Sequence, residues 1–222
     1  MNKHVNTSSA QYDVNLLSEL IEMKRIYSVV EHTLFKNKAA CVVVTSGVPG
    51  EGKTTVTAGL SAVAAVQRDL RVLTVDLNWH KPDLHKWFGL SRTFDAIAFG
   101  QGKSILDLVQ STHLKNLDIL TATPTSHPDI KMSEDVNRLG KHIIHQARAA
   151  YDVVIVDAAS IFPVNHSMMD PVAVSMDADA SILVALANVT PRQKLKRARM
   201  MLEAAAVHVA GVVVNQWKNI LF

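Results

Sequence analysis

One run constrains this chain more than any other: Ser46-Gly47-Val48-Pro49-Gly50-Glu51-Gly52-Lys53-Thr54-Thr55. Before it stands Ala40-Cys41-Val42-Val43-Val44, the continuous apolar pattern of a strand buried on both faces. After it, Val56 to Val66 reads as a helix rich in alanine. Strand, loop of the form G-x-x-x-x-G-K-T, then helix is the context in which a phosphate-binding loop works. Glycines at 47, 50 and 52 carry no Cβ, so the backbone can turn its N–H groups inward and form an anion nest. The nest opens onto a helix N-terminus, whose unpaired N–H groups and partial positive charge favour phosphate. Lys53 then reaches the β- and γ-phosphates of a nucleotide, and the Thr54 hydroxyl is placed to hold Mg²⁺. The expected nucleotide-binding set is Gly47, Gly50, Glu51, Gly52, Lys53, Thr54 and Thr55, with ATP and Mg²⁺ as cofactors.

The rest of the chain supplies further strands and helices in alternation. Apolar residues from Asp13 to Phe35 recur at helical spacing, with Asp13 as the cap. Arg71 to Asp76 reads as a second strand ending in an acid. A turn-rich region follows, with a short helix over Ser104 to Val109 and a strand over Leu117 to Thr121. Ser133 opens a helix towards Ala150, and Val153 to Asp157 is a further strand ending in an acid. A helix over Met168 to Met176, a strand over Ser181 to Leu186, a helix from Pro191 to Ala206 and a strand over Gly211 to Asn215 complete the order. Alternation of this kind predicts an α/β fold: a mostly parallel β-sheet with helices on both faces, of the P-loop NTPase type. The expected organisation is a flexible stretch, residues 1–12, and one domain, residues 13–222.

Bulk properties narrow the function. A formal charge of +3 is too small to demand a nucleic-acid partner, and none is expected. Cys41 is the lone cysteine and sits in a buried strand, so it reads as core in a reducing compartment. The first residues lack the apolar stretch of a signal peptide, and the apolar runs are too short to span a bilayer. A cytoplasmic protein is expected, with any membrane association supplied by a partner.

Ligands of such sheets bind beyond the carboxyl ends of the strands, where Asp76, Asp157, Asn215 and the glycine loop all fall. Asp157 can hold Mg²⁺ opposite Thr54, or merely cap a turn. Asp76 can share the metal, orient a water, or accept a proton from an attacking hydroxyl, so Asp76 and Lys53 are the expected catalytic pair and Thr54, Asp76 and Asp157 the expected metal set. Asn215 can read an adenine edge or form a turn, and Trp217 can cover the base or fill the rim. Other motifs read as ordinary structure. Gly100-Gln101-Gly102-Lys103-Ser104 lacks a preceding strand, and His142 with His145 lacks a third metal ligand. Ser160 and His166 have no nucleophile elbow, and the basic run Arg192 to Arg199 reads as a solvated helix face.

Together these residues resemble the bacterial tyrosine kinases, cytoplasmic ATPase modules that control the chain length of capsule and exopolysaccharide. The resemblance runs from about Glu22 to Asn215 and includes Pro49-Gly50-Glu51-Gly52-Lys53 in the loop. It also includes Val75-Asp76-Leu77-Asn78-Trp79-His80-Lys81-Pro82, similar to the family's second acidic motif, and Asp157 as its metal-binding acid. The resemblance implies that the loop binds ATP and that Asp76 and Asp157 handle Mg²⁺ and the attacking tyrosine. It also implies that a membrane polysaccharide co-polymerase is the partner at the inner face of the membrane, and that homo-oligomers form. The chain departs from the pattern at Asn78 and His80, where the motif has Asp and Arg, at Ser160, and at Ser28 in the motif used for ring assembly. It has tyrosines only at 12, 27 and 151, so no autophosphorylation of a tail is expected; the acceptor is another protein or an amino-terminal tyrosine. Two alternatives remain: a nucleotide-gated docking module with little turnover, and a positioning ATPase of the MinD/ParA type. Against the latter, Val48 stands where those proteins have lysine.

Overall fold

The computed structural model describes residues 13–34, 39–67, 69–124, 133–162 and 168–216. The flexible stretch expected over residues 1–12, and the roles weighed for His166 and Trp217, lie outside them. In chain order the elements are α1 (Val14–Glu19), α2 (Ile21–Leu34), β1 (Ala40–Ser46), α3 (Lys53–Gln67), β2 (Val72–Asp76), α4 (Leu84–Trp87) and α5 (Ala96–Gly100). Then come a 3-10 turn (Ile105–Asp107), β3 (Gln110–Ser111), β4 (Leu117–Leu120), α6 (Ser133–Ala150), β5 (Val153–Ser160), α7 (Pro171–Met176), β6 (Ala180–Leu186), α8 (Arg192–Ala204) and β7 (Val209–Asn215).

The strands form one sheet in the order β3-β4-β2-β5-β1-β6-β7. Only the short edge strand β3 runs antiparallel. All seven residues of β1 and all five of β2 are buried, because helices cover both faces. On one face α1 to α4 pack over Val42, Val44, Val72, Ile155 and Val184. On the other, α5, α6 and α7 cover Val43, Leu73, Val75 and Val156, and α8 covers Leu183. Cys41 lies in this interior, and burial pushes its thiol up to about 12, so it is an inert core residue as expected.

The amino-terminal helix differs from the single element expected. Leu20 takes an extended conformation (ψ 126°) and divides it in two, with Asp13 capping the first part through Asn15 and Leu16 N–H. The break turns both pieces onto α3, so that Val14, Leu17, Met23, Tyr27 and Val30 are all buried there, while Leu16 remains 56% exposed. Met23 crosses α3 at Gly59, where a Cβ would lie 2.9 Å from its sulfur. The turn-rich stretch after β2 also contains more structure than expected, namely α4, α5 and the edge strand β3.

A second correction concerns the fifth strand, which was expected to end at Asp157 but continues to Ser160. Its neighbour β1 extends to Ser46 and offers pairing partners, and Thr45 Oγ1 donates to the Ala159 carbonyl. A bulge between Val44 and Ser46 absorbs the mismatch in register, a device common beside functional sites.

The chain passes from β1 outward through β2 and β4 on one side, then returns to β5 and crosses to β6 on the other. Its switch point is therefore next to β1, where open α/β sheets bind ligands. Leu73 is fully buried in β2 against this core. Truncation by Leu73→Ala leaves a cavity and is expected to lower unfolding free energy by about 2–5 kcal/mol. Urea denaturation checks this, and a loss well below that range would contradict the packing.

Candidate active site

The loop from Gly47 to Gly52 leaves β1 and turns into α3. Gly50 and Gly52 have φ of +84° and +90°, the region that only glycine enters freely. Gly52 is constrained twice: a Cβ there would lie 2.2 Å from the Asn215 side-chain nitrogen. The loop is fastened from β5, since Ile161 N–H donates to the Ser46 carbonyl and Phe162 N–H to that of Gly47. Behind Gly47 lies the α8 backbone, with the Lys194 carbonyl 3.5 Å from where a Cβ would stand.

The structure brings together the residues on which the chemistry was expected to depend. β2 and β5 pair in register, so Asp76 and Asp157 are direct neighbours across adjacent strands. Thr54 Oγ1, in the first turn of α3, donates to Asp157 Oδ2 at 2.7 Å. Asp76 Oδ1 accepts the Asn78 N–H at 3.0 Å. One oxygen of each acid, Asp76 Oδ2 and Asp157 Oδ1, is buried without any hydrogen-bond partner. Lys53 is buried as well.

Electrostatics explains what this cluster lacks. Burial raises the Asp76 carboxyl well above the usual range, and the Asp157 charge raises it further. Asp157 is pushed up to about 6 by burial, opposed by the Lys53 ammonium and the Thr54 hydroxyl. Lys53 is itself held below its ordinary value by burial, against the attraction of Asp157 and Glu51. Two buried carboxylates with unpartnered oxygens beside one ammonium fit a divalent cation, which Asp157 and Thr54 would hold beside Asp76. Among the described residues no three His, Cys, Asp or Glu side chains cluster as metal ligands. Mg²⁺ is usually bound by one or two carboxylates together with phosphate oxygens and water, so this set suits it.

Glu51 and Asn215 both sit at the loop, with their side chains bonded to it. The Glu51 side chain is 2% exposed, with Oε2 accepting the Val48 N–H at 2.9 Å and Oε1 accepting the Thr190 hydroxyl. Only its main chain is left to line the nest. The Asn215 amide donates to the Glu51 carbonyl at 3.2 Å, so its nitrogen serves the loop. Asn78, where a second acid was looked for, closes a turn by donating to the Lys81 carbonyl.

Thr190 and Asp83 escaped the sequence reading. Asp83 precedes α4, and its charge raises both Asp76 and Asp157. Pro82-Asp83 ahead of a helix was the available signal. Thr190 had none. The remaining motifs are structural: His142 packs on the Phe99 ring and contacts Gln146, while Lys194 and Arg197 lie over the Phe162 ring. Gly100 to Ser104 ends α5 and caps the 3-10 turn.

The family model of the CobQ/CobB/MinD/ParA nucleotide binding domain (CbiA) matches residues 42–220. The chain belongs to this family. It is 29% identical over 195 residues to the tyrosine-protein kinase YwqD of Bacillus subtilis (strain 168), covering 87% of this chain and 79% of that one. It is 27% identical over 177 residues to the tyrosine-protein kinase etk of Escherichia coli (strain K12), covering 78% of this chain and 23% of that longer protein. The solved kinase domain of Escherichia coli tyrosine kinase ETK is similar with a TM-score of 0.76 at 22% identity, over 90% of this chain and 76% of the other. The septum site-determining protein MinD of Pyrococcus horikoshii OT3, complexed with Mg-ADP, is similar with a TM-score of 0.65 at 21% identity, over 82% and 73% of the two chains. Both the α/β P-loop fold and the resemblance to bacterial tyrosine kinases are borne out.

Two outcomes follow from this geometry. Gly52→Ala forces a Cβ onto Asn215 at a positive φ, so nucleotide affinity measured by titration calorimetry is expected to collapse while the far-ultraviolet circular dichroism stays native. In metal-free protein the folded state retains carboxyl protons that the unfolded chain releases near pH 4, so stability falls as pH rises towards the Asp157 value of about 6 and stays low above it. Melting in EDTA at about pH 8 is therefore expected to be higher for Asp157→Asn than for the parent, with the gap closing towards about pH 4. Equal melting at the higher pH would contradict the unfavourable burial.

Proposed function

We propose that this chain is an ATP-binding, Mg²⁺-dependent phosphotransferase module of the bacterial tyrosine kinase type, serving synthesis and export of exopolysaccharide or capsular polysaccharide. The observation that carries the reading is the in-register pair Asp76 and Asp157, each with a buried unpartnered oxygen, at the phosphate loop. The loop amides, with Lys53, bind the phosphates; Thr54 and Asp157 hold the metal. Mg²⁺, when bound, supplies charge neutralisation on the phosphate oxygens. Asp76 accepts the proton of the attacking hydroxyl at its free oxygen, and burial raises its affinity for that proton.

The attacking hydroxyl comes from another protein or from the amino-terminal Tyr12. Tyr27 is 1% exposed and Tyr151 5% exposed, and the Tyr151 hydroxyl donates to Asp118 at 2.9 Å. Their burial argues against either as the acceptor in the folded chain; Tyr12 lies outside the described residues. A membrane polysaccharide co-polymerase is the proposed partner and holds the chain at the inner face of the membrane. No described helix is long and apolar enough to cross a membrane.

A second reading, a nucleotide-gated docking module with little turnover, is favoured by Asn78, which adds no charge and uses its amide to close a turn. Incubation with labelled ATP and Mg²⁺, scoring released phosphate and labelled protein, separates the two. Turnover that Lys53→Met abolishes supports the enzyme; binding without turnover supports the docking module. Asp76→Asn is expected to lower kcat about 10²–10⁴-fold with ATP binding retained, and an unchanged kcat would remove Asp76 from the chemistry.

A further inference from the structure

We infer that Thr190 and Asn215 are positioning residues of the phosphate loop: through Glu51 they hold the curve of Val48 to Gly52 in the shape that receives phosphates. The inference rests on the nucleotide-binding reading above and adds to it two residues from the carboxyl-terminal part of the chain. Glu51 is a buried acid, and a buried carboxylate requires donors. One donor is local, the Val48 N–H at 2.9 Å. The other is the Thr190 hydroxyl, 139 residues away in sequence. Its direction is fixed: the Leu186 N–H donates to Thr190 Oγ1 at 2.7 Å, which leaves the hydroxyl proton for Glu51.

A second tie closes the circuit. The Asn215 amide donates to the Glu51 carbonyl at 3.2 Å, and the Asn215 carbonyl accepts the Ala187 N–H at 2.8 Å. The loop, the connection from β6 to α8 and the end of β7 therefore hold one another. A Cβ at Gly52 would meet the Asn215 side-chain nitrogen and displace it. Glu51 in turn draws Lys53 towards its charged form against burial. Without the Thr190 hydroxyl, Glu51 Oε1 is left without this donor, and the carboxylate must shift in search of another. A shift by Glu51 moves the N–H of Val48 and the peptide before Gly52, which are parts of the nest. Those contacts serve bound ATP and the transition state alike, so their loss raises KM and leaves kcat.

The test compares Thr190→Val, which keeps the shape and removes the hydroxyl, with Thr190→Ser, which restores it. The dissociation constant for ATP with Mg²⁺ and the KM for ATP are expected to rise about tenfold in Thr190→Val, the size of one hydrogen bond to a charged acceptor. The kcat is expected to stay within about twofold, and Thr190→Ser to match the parent. Asn215→Ala, which leaves the buried acid satisfied, is expected to shift KM in the same direction by less, and serves if Thr190→Val does not fold. In nucleotide-free protein, amides 48–53 are expected to exchange hydrogen faster in Thr190→Val than in Thr190→Ser, with β2 amides unchanged. Parent-like KM and exchange in Thr190→Val, equal impairment in Thr190→Ser, or a loss confined to kcat would each overturn the assignment. If the parent bound no nucleotide, the functional reading would fall, and the exchange comparison would still decide: faster loop exchange in Thr190→Val alone upholds the tie, and equal exchange removes it.

Discussion

Asp76 and Asp157 lie side by side in the interior, with the Lys53 ammonium beside them. Burial raises both carboxyls and lowers Lys53, so each group is held away from its ordinary charged state. Asp83 adds negative charge from the start of α4, and Lys81 adds positive charge beside Lys53. A cluster of this kind is unfavourable to the folded chain alone and becomes favourable once a cation and a phosphate share the charges. Stability has been given up at the place where binding returns it. The rest of the architecture holds that cluster in place: two parallel strands in register, a loop with left-handed glycines, and helices thick enough to keep water away from both faces.

The loop is not a self-contained device. β5 fastens its first residues through Ser46 and Gly47, and α8 supports Gly47 from behind. Thr190 and Asn215 hold its middle. Every strand adjacent to β1, and the edge strand β7 beyond them, therefore has a bond or a contact to the phosphate site. The bulge between Val44 and Ser46 lies just before the loop. Beyond Asp157 it lets β1 and β5 run on with different residue counts to the loop's anchor points, while Asp157 takes the α3 face by strand alternation with Val153 and Ile155.

How far the sequence carried depends on how local each feature is. The phosphate loop, its flanking strand and helix, and the two acids were legible because their chemistry is written in consecutive residues. Thr54 and Asp157 were matched through motif alone, and the structure places them 2.7 Å apart. Where the outcome depended on partners far along the chain, the reading failed. The amino-terminal helix breaks at Leu20 because α3 demands it, and β5 runs on to Ser160 because β1 offers pairing. The Glu51 carboxylate turns inward because Thr190 waits for it, and no residue near Glu51 announces that partner. Asn215 reads from the sequence as an adenine reader or a turn former, and its bond to the Glu51 carbonyl, 164 residues away, could not be read from its neighbours.

Asn78 shows how one substitution changes a site without dismantling it. Its N–H donates to Asp76 Oδ1, a bond that any residue but proline could make at this position. Its side-chain nitrogen donates to the Lys81 carbonyl, a bond that a carboxylate could not make. The turn to Lys81, closed by the Lys81 N–H donating to the Asn78 carbonyl, gains this second bond, and a further negative charge is kept out of the cluster. The remaining acids, Asp76 and Asp157, keep their free oxygens and their register. The departure at Asn78 therefore trades one charge for a second bond in the turn and leaves the pair Asp76 and Asp157 in place.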